Sequence, residues 1–404
     1  MRLPNSLFFI IALLFITAVS KAQTLVKKDS LHRSPVNAVE KKDLSDIVKK
    51  ILHKKNGSAP APKKTVLMPV AGYSLATGFA GAIAFNKVFY NSQQADQKTS
   101  SILCVPTYTQ KKQFFVPLTV NIWSSGNKYN FITDFRYSQY PSIIYGIAND
   151  NYPDTGYAIA YNAIKLHQVV QRQLAKNFYA GIGIYFDKYW NITATDSLVP
   201  YVKLQVTQLV HTKETAIAPV LKLLYDSRLN QVNPRQGIYA AVVLRQNIAI
   251  PSQSNSWHSL VTDFRKYIEF PKHSTNIIAL WNYNWLCPSN TAVPYLLLPS
   301  TGWDDNYNTG RGYTQSRFRG HSMFYNEAEY RARLTKNDLL HAVFFGNMQI
   351  FSGDLSKTYT QPQLAYGLGL RIKVNKFSDT NFCIDYGFGK NGSRGFFVNL
   401  GEVF

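Results

Sequence analysis

From Thr65 to the last residue, apolar and polar positions alternate along the chain with a period of two. Phe114, Val116, Leu118, Val120 and Ile122 alternate with Phe115, Pro117, Thr119 and Asn121; Leu364, Tyr366, Leu368, Leu370 and Ile372 alternate with Ala365, Gly367, Gly369 and Arg371. Successive side chains of a strand point to opposite faces, so one face is greasy and the other small or polar. Soluble sandwiches alternate as well, but their strands run about five or six residues. These runs reach roughly 9 to 14 residues, the length a tilted strand needs to cross a bilayer.

The pattern places strands at 73–90, 98–108, 111–124, 127–137, 140–149, 157–172, 178–192, 213–226, 237–250, 256–270, 274–288, 322–334, 338–352, 362–375, 379–389 and 393–404. The fold class that follows is all-β: a transmembrane antiparallel β-barrel of about 16 strands occupying residues 65–404. With the first strand running outward, the tight turns at Thr109-Gln110, Leu174 to Asn177, Pro271 to His273, Thr335 to Asn337 and Lys376 to Ser378 fall on the periplasmic side. The long loops near 193–212 and 289–321 fall outside. Phe396, Val398, Leu400 and Phe404 share one phase of the last strand, which makes the terminal aromatic a residue of the membrane-interface belt.

The first 64 residues differ. Residues 1–22 form an expected signal peptide: Arg2, an apolar core from Leu7 to Val19, and Ser20-Lys21-Ala22 before Gln23. That core is short for an uncleaved membrane anchor, and no later run reaches the roughly 18 apolar residues of a spanning helix. Residues 23–64 carry eleven Lys or Arg and end in a linker-like stretch, Asn56 to Pro62. Within them Leu44, Ile47, Val48, Ile51 and Leu52 follow a possible cap at Asp43 with the spacing of an amphipathic helix. Such a helix suits the membrane surface or the barrel mouth; a solvated tail is the other reading.

Composition agrees with a lipid-facing β structure, with 51 Tyr and Phe together and 17% charged residues. The net charge of +21 suggests an anionic partner, and the export signal excludes nucleic acid. Cys104, Cys287 and Cys383 have no metal-like spacing and are expected to be unpaired. There is no G-x-S-x-G elbow, H-E-x-x-H or Walker loop, and the histidines of the barrel are scattered. No enzyme activity, cofactor or metal site is expected; Asp304-Asp305 reads either as a cation contact or, more simply, as a hydrated acidic pair.

Three ordered stretches stand out. Tyr225-Asp226-Ser227-Arg228 precedes Asn233-Pro234-Arg235-Gln236-Gly237. Gly310-Arg311-Gly312-Tyr313 stands shortly before Ala328-Glu329-Tyr330-Arg331. Tyr366-Gly367-Leu368-Gly369-Leu370-Arg371 leads through Asp385-Tyr386-Gly387-Phe388-Gly389 to Phe404. Together they resemble the BamA/TamA-type outer-membrane assembly and translocation barrels, the bacterial surface antigen family. The first is similar to that family's D-x-R…P-x-x-G periplasmic turn, here Asp226, Arg228, Pro234 and Gly237. The second is similar to the R-G-F/Y motif of its sixth external loop and the strand that follows. The resemblance covers nearly all of residues 66–404. It implies a sixth loop folded into the lumen through Arg311, Gly312 and Tyr313, and a C-terminal signal at Phe396, Val398, Leu400 and Phe404.

Alternation alone puts Glu327, Glu329, Arg331 and Arg333 on the lumen face of 322–334, where Arg311 can pair with Glu329 and Gly312 permits close backbone approach. An exposed Arg311 above a wet, charge-lined channel is the alternative. Where the family often carries a second acidic partner, this chain has Asn347, which brings no charge. The 42 residues of 23–64 are too few for the family's soluble periplasmic modules, so client capture by added strands in cis is not expected. The resemblance implies assembly of outer-membrane proteins, or passage of a polypeptide or lipid, with outer-membrane lipid, client polypeptides and other envelope proteins as partners. The rival is a structural barrel or a channel for anionic solutes.

Overall fold

The computed structural model describes residues 41–44, 46–47, 65–74, 77–94, 97–147, 156–194, 213–250, 255–288, 293–304, 308–353, 359–376 and 378–404. The expected signal peptide, the linker at 56–62, positions 48–52 of the expected helix and most of the loop at 193–212 lie outside them.

Seventeen strands follow one another: β1 (Thr65–Ser74), β2 (Gly78–Phe89), β3 (Ser100–Cys104), β4 (Thr107–Thr109), β5 (Phe114–Trp123), β6 (Tyr129–Ile144), β7 (Tyr157–Ala175), β8 (Phe178–Ala194), β9 (Glu214–Asp226), β10 (Gly237–Asn247), β11 (Trp257–Glu269), β12 (Ile277–Leu286), β13 (Ser322–Arg333), β14 (Leu340–Phe351), β15 (Gln363–Asn375), β16 (Thr380–Gly389) and β17 (Arg394–Leu400). β3 and β4 both pair with β2 on one side and β5 on the other, so they are one stave broken at Val105-Pro106, where proline supplies no N–H. The barrel therefore has sixteen staves, each antiparallel to the next from β1 to β17. At the closing seam β1 meets β17: a Cβ built on Gly72 falls 3.4 Å from that of Val398. No paired register joins these two strands among the described residues.

The expected number of staves holds, but through two compensating departures. Thr65–Ser74 is a strand that its sequence, TVLMPVAGYS, hides because it barely alternates. The expected strands 127–137 and 140–149 are one 16-residue strand, β6, in which Ser138 and Gln139 pair with Phe115 and Phe114 instead of turning. The turn at Thr109-Gln110 consequently moves to the end of the barrel that carries the long connections, 195–213 and 287–321. The turns at 176–177, 270–276, 334–339 and 376–379 stay together at the opposite, short-turn end.

The barrel is apolar outside and charged inside. Along β15, Leu364, Tyr366, Leu368 and Leu370 are exposed while Gln363, Ala365, Gly367 and Arg371 are buried. Ile182 and Ile184 of β8 likewise face outward, with Asp187 and Tyr189 within. This inversion of a soluble core is the pattern of a strand sheet solvated by lipid. The three cysteines are free.

Residues 41–44 and 46–47 contact the short-turn end. The Asp43 carboxylate accepts from Asp46 N at 3.3 Å and Asp46 reciprocates on Asp43 N at 3.0 Å, a capping pair that starts the helical turn at Leu44. Asp43 also accepts from Lys376 N at 3.1 Å, and Asp46 pairs with Lys376 Nζ at 2.9 Å. Lys42 N also donates to Asn337 O at 3.0 Å, so these few residues meet the turns at 334–339 and 376–379.

Candidate functional site

The described parts of the 287–321 connection, 293–304 and 308–321, enter the lumen as two arms of a hairpin. Its base closes through Gly320 N on Pro299 O (3.0 Å) and a bridge between Ser300 and Arg319. The Arg319 guanidinium, buried, donates to the carbonyls of Tyr295 (2.8 Å) and Leu298 (3.3 Å). That fixes a short 3-10 turn whose Leu296, Leu297 and Leu298 pack against Tyr140, Ile144, Tyr161, Tyr189 and Trp257 on the inner wall. The Asp304 carboxylate caps the descending arm, accepting from Asn308 N (2.9 Å) and Thr309 N (2.8 Å). Its role is a turn cap; Asp305 lies outside the described residues.

At the tip, Arg311 is 2% exposed. Its guanidinium donates to Asp385 at 2.5 Å and to both Glu327 and Glu329, and it lies 3.8 Å from the Phe345 ring centroid. Glu327 and Glu329 stand two apart on β13, hence on one face, and Asp385 comes from β16. Arg371 of β15 binds Asp385 and reaches Glu402 at 3.0 Å; Arg331 binds Glu329 at 2.7 Å. Tyr325 donates to Glu327, and Asn381 donates to Glu402 at 2.6 Å. Three arginines thus share four carboxylates in a buried layer across the lumen, charges that repay their desolvation only as a set.

The backbone makes room for the tip. Gly312 has φ of 106°, and a Cβ there would fall 2.7 Å from that of Ala365; a Cβ on Gly387 would fall 2.7 Å from Gly312 N. Tyr313 donates to Leu364 O (2.7 Å), accepts from Lys390 N (3.0 Å) and packs edge-on against Phe318. Asn347 donates to Arg311 O at 2.9 Å, so it holds the loop backbone, while the acids that meet the Arg311 guanidinium are Glu327, Glu329 and Asp385. Arg331 is buried as expected, whereas Arg333, at the end of β13, is exposed.

The turn motif forms a second lock at the short-turn end. Asp226, fully buried, accepts from Arg228 Nε (2.9 Å) and Gln231 Nε2 (2.9 Å), and its carbonyl accepts from Lys98 Nζ at 2.6 Å. The Lys98 ammonium is buried there, which lowers its pKa against the pull of Asp226. Pro234 is buried and Gly237, at φ 109°, re-enters β10. Asn230 and Asn233 bond the carbonyls of Ser378 and Asp379, so the turn reaches the β15–β16 connection.

The C-terminus corrects an expectation. Phe396 is exposed to lipid and Val398 and Leu400 keep its phase, but Gly401, at φ 92°, turns the chain inward. Phe404 is 3% exposed, stacks 5.1 Å from Trp281 inside the lumen, and its carbonyl accepts from Arg331 at 3.1 Å. It is a lumen residue and not part of an aromatic belt. Glu402 sits between Arg331 and Arg371; burial alone raises its carboxyl, and the two guanidiniums outweigh it and hold it down at about 2. Asp385, Arg371 and Glu402 are the site residues that sequence reasoning missed. Their signal was the lumen phase of Asp385 and Arg371, visible once the strands were placed.

The fold has known counterparts. The barrel is similar to that of BamA. A structure of Haemophilus ducreyi BamA lacking POTRA domains 1–3 superposes with a TM-score of 0.52 at 11% identity, over 88% of this chain and 78% of that one. Wzi of Escherichia coli, described as a carbohydrate-binding β-barrel of the outer membrane involved in group 1 capsule assembly, gives 0.35 at 7% identity, over 84% and 85%. No family model matches the sequence, and no curated protein does.

Proposed function

We propose that this chain is an outer-membrane barrel of the BamA/TamA type that handles polypeptide or lipid partners at its wall, and does not pass solutes through its lumen. The observation that carries this reading is the burial of Arg311 against Glu327, Glu329 and Asp385, which seats the loop across the barrel interior. The rival channel for anions needs free cations along a wet path. Here Arg311, Arg331 and Arg371 are paired with carboxylates in a layer from which bulk water is shut out. The place left for partners is the seam, where Gly72 of β1 meets Val398 of β17 without a paired register. Glycines in edge strands weaken pairing, which suits a wall that opens.

Reconstitution tests the reading. Vesicles carrying the purified barrel should speed the folding of a urea-unfolded small outer-membrane barrel, scored by heat-modified gel mobility, and depletion in cells should accumulate misassembled barrels. No acceleration, together with a large steady conductance in planar bilayers, would return the channel reading.

A further inference from the structure

The outer wall holds a feature that the assembly role does not use. Across β6 to β10 the residues Tyr129, Arg172, Ala180, Leu223 and Val242 lie in one register row, and Phe131, Val170, Ile182, Leu221 and Leu244 form the next. Ala180 is the small residue of the first row, flanked by Arg172 and Leu223. The wall is hollowed there into a groove of about 620 Å³ lined mainly by Val170, Ile182, Leu221, Leu223, Val242 and Leu244, with Lys222 also on its lining. The groove opens outward: Ile182 is 68% exposed and Leu221 58%.

Its end toward the short turns is cationic. Arg172 is exposed at the groove's rim. Tyr129 is its register partner on the next stave; Lys128 precedes Tyr129, its carbonyl accepting from Gln173 N at 2.8 Å and its ammonium lying 5.7 Å from the Tyr129 ring centroid. Lys176, four residues after Arg172, is exposed in the two-residue turn between β7 and β8. Of the residues at 124–130, 170–180 and 221–230, the one acid is Asp226, buried in the lumen lock with Arg228. Three cations and a tyrosine stand near the short-turn end of these strands, and the largely apolar trough runs from there along the wall.

We propose that this groove is a binding site for a phospholipid with an anionic headgroup, its phosphate at Lys128, Arg172 and Lys176 and one acyl chain laid over Ala180. Long basic side chains at a membrane interface reach for headgroup phosphate while their stems stay apolar. A zwitterionic lipid fills the trough equally well but gains less at the rim. The proposal rests on the membrane-spanning fold and is independent of the assembly role.

The test is native mass spectrometry and thermal unfolding of the purified barrel in mixed micelles containing dioleoyl phosphatidylglycerol or dioleoyl phosphatidylcholine. Phosphatidylglycerol should be retained preferentially and raise the unfolding midpoint, and soluble glycerophosphoglycerol should not. Arg172→Gln with Lys128→Gln should lower the preference by more than tenfold, since each surface cation is worth about fivefold. Ala180→Leu should weaken retention of both lipids by filling the trough, and gel mobility before and after boiling confirms that each variant is folded. Equal retention of the two lipids, an undiminished preference in the double variant, or unchanged retention in Ala180→Leu would each overturn the site.

Discussion

At the scale of the residue, Arg311 answers to three carboxylates at once, which sets what its removal costs. Arg311→Ala leaves Glu327, Glu329 and Asp385 buried beside one another, and breaking a buried pair from one side costs about 3–5 kcal/mol. The unfolding midpoint of the purified barrel should fall accordingly. In the cycle with Asp385→Asn, the double variant should be less damaged than the sum of the singles by more than about 1 kcal/mol. Strict additivity would mean that the two side chains do not meet. Gly312→Ala is a test of space and backbone, because its Cβ would strike Ala365 and its φ of 106° suits glycine. It should destabilise by about 1–3 kcal/mol. Ala365→Gly should rescue part of that loss, since it removes the nearest atom and leaves the strained φ. Glu327 and Glu329 were legible in the sequence because two residues of one strand, two apart, must share a face. Asp385 was not assigned, because its partnership with Arg311 depends on how far a loop descends across the lumen, which no local spacing encodes. Asn347 was legible as a departure, and its bond to the Arg311 carbonyl shows why an uncharged residue is sufficient there.

At the scale of the element, alternation located most strands because each has lipid on one side and a packed lumen on the other. It failed where that contrast is weak. β1 puts Pro69, Ala71 and Gly72 into ten residues and shows neither face clearly. In β6, Ser138 and Gln139 imitate a turn, although they are consecutive strand residues on opposite faces, Ser138 half-buried and Gln139 exposed. The last element was misread for a different reason: Gly401 breaks the phase, so extrapolating from Phe396 to Phe404 sent the terminal ring to the wrong side. This tail has a signature in acid. The Glu402 carboxyl sits at about 2 in the folded chain against an ordinary value of 4.5. A group depressed by folding adds stability that is fully present above the unfolded value and is lost as pH falls through the folded one. Between pH 5 and pH 3 the parent should therefore lose unfolding midpoint more steeply than Glu402→Gln, which starts lower at pH 5 because Arg331 and Arg371 have lost a partner. Parallel lines for the two proteins would remove Glu402 from the network.

At the scale of the whole molecule, three separate segments converge on the interior: the 287–321 hairpin, the 227–236 turn and the residues after β17. They also touch one another, since Asn308 donates to Val403 O at 2.6 Å and Glu402 N approaches Val232 O at 3.3 Å. A barrel of sixteen staves has an interior wide enough for an aqueous channel unless something occupies it. The occupancy predicts a closed protein, and the geometry of the hairpin's base supplies a clean way to open it. Gly320 N and Pro299 O are hydrogen-bonded, so the strands of the hairpin can be joined by a short Gly/Ser bridge in place of residues 300–319 without displacing β12 or β13. In planar bilayers the parent should show little steady conductance, and the bridged variant should show large, long-lived openings while still migrating as a folded band on unboiled gels. Arg311→Ala should fall between them, with brief openings, because the hairpin keeps its apolar anchor at Leu296, Leu297 and Leu298 after it loses its charged one. A parent that conducts steadily, or a bridged variant that stays closed, would mean that the hairpin is not what fills the lumen.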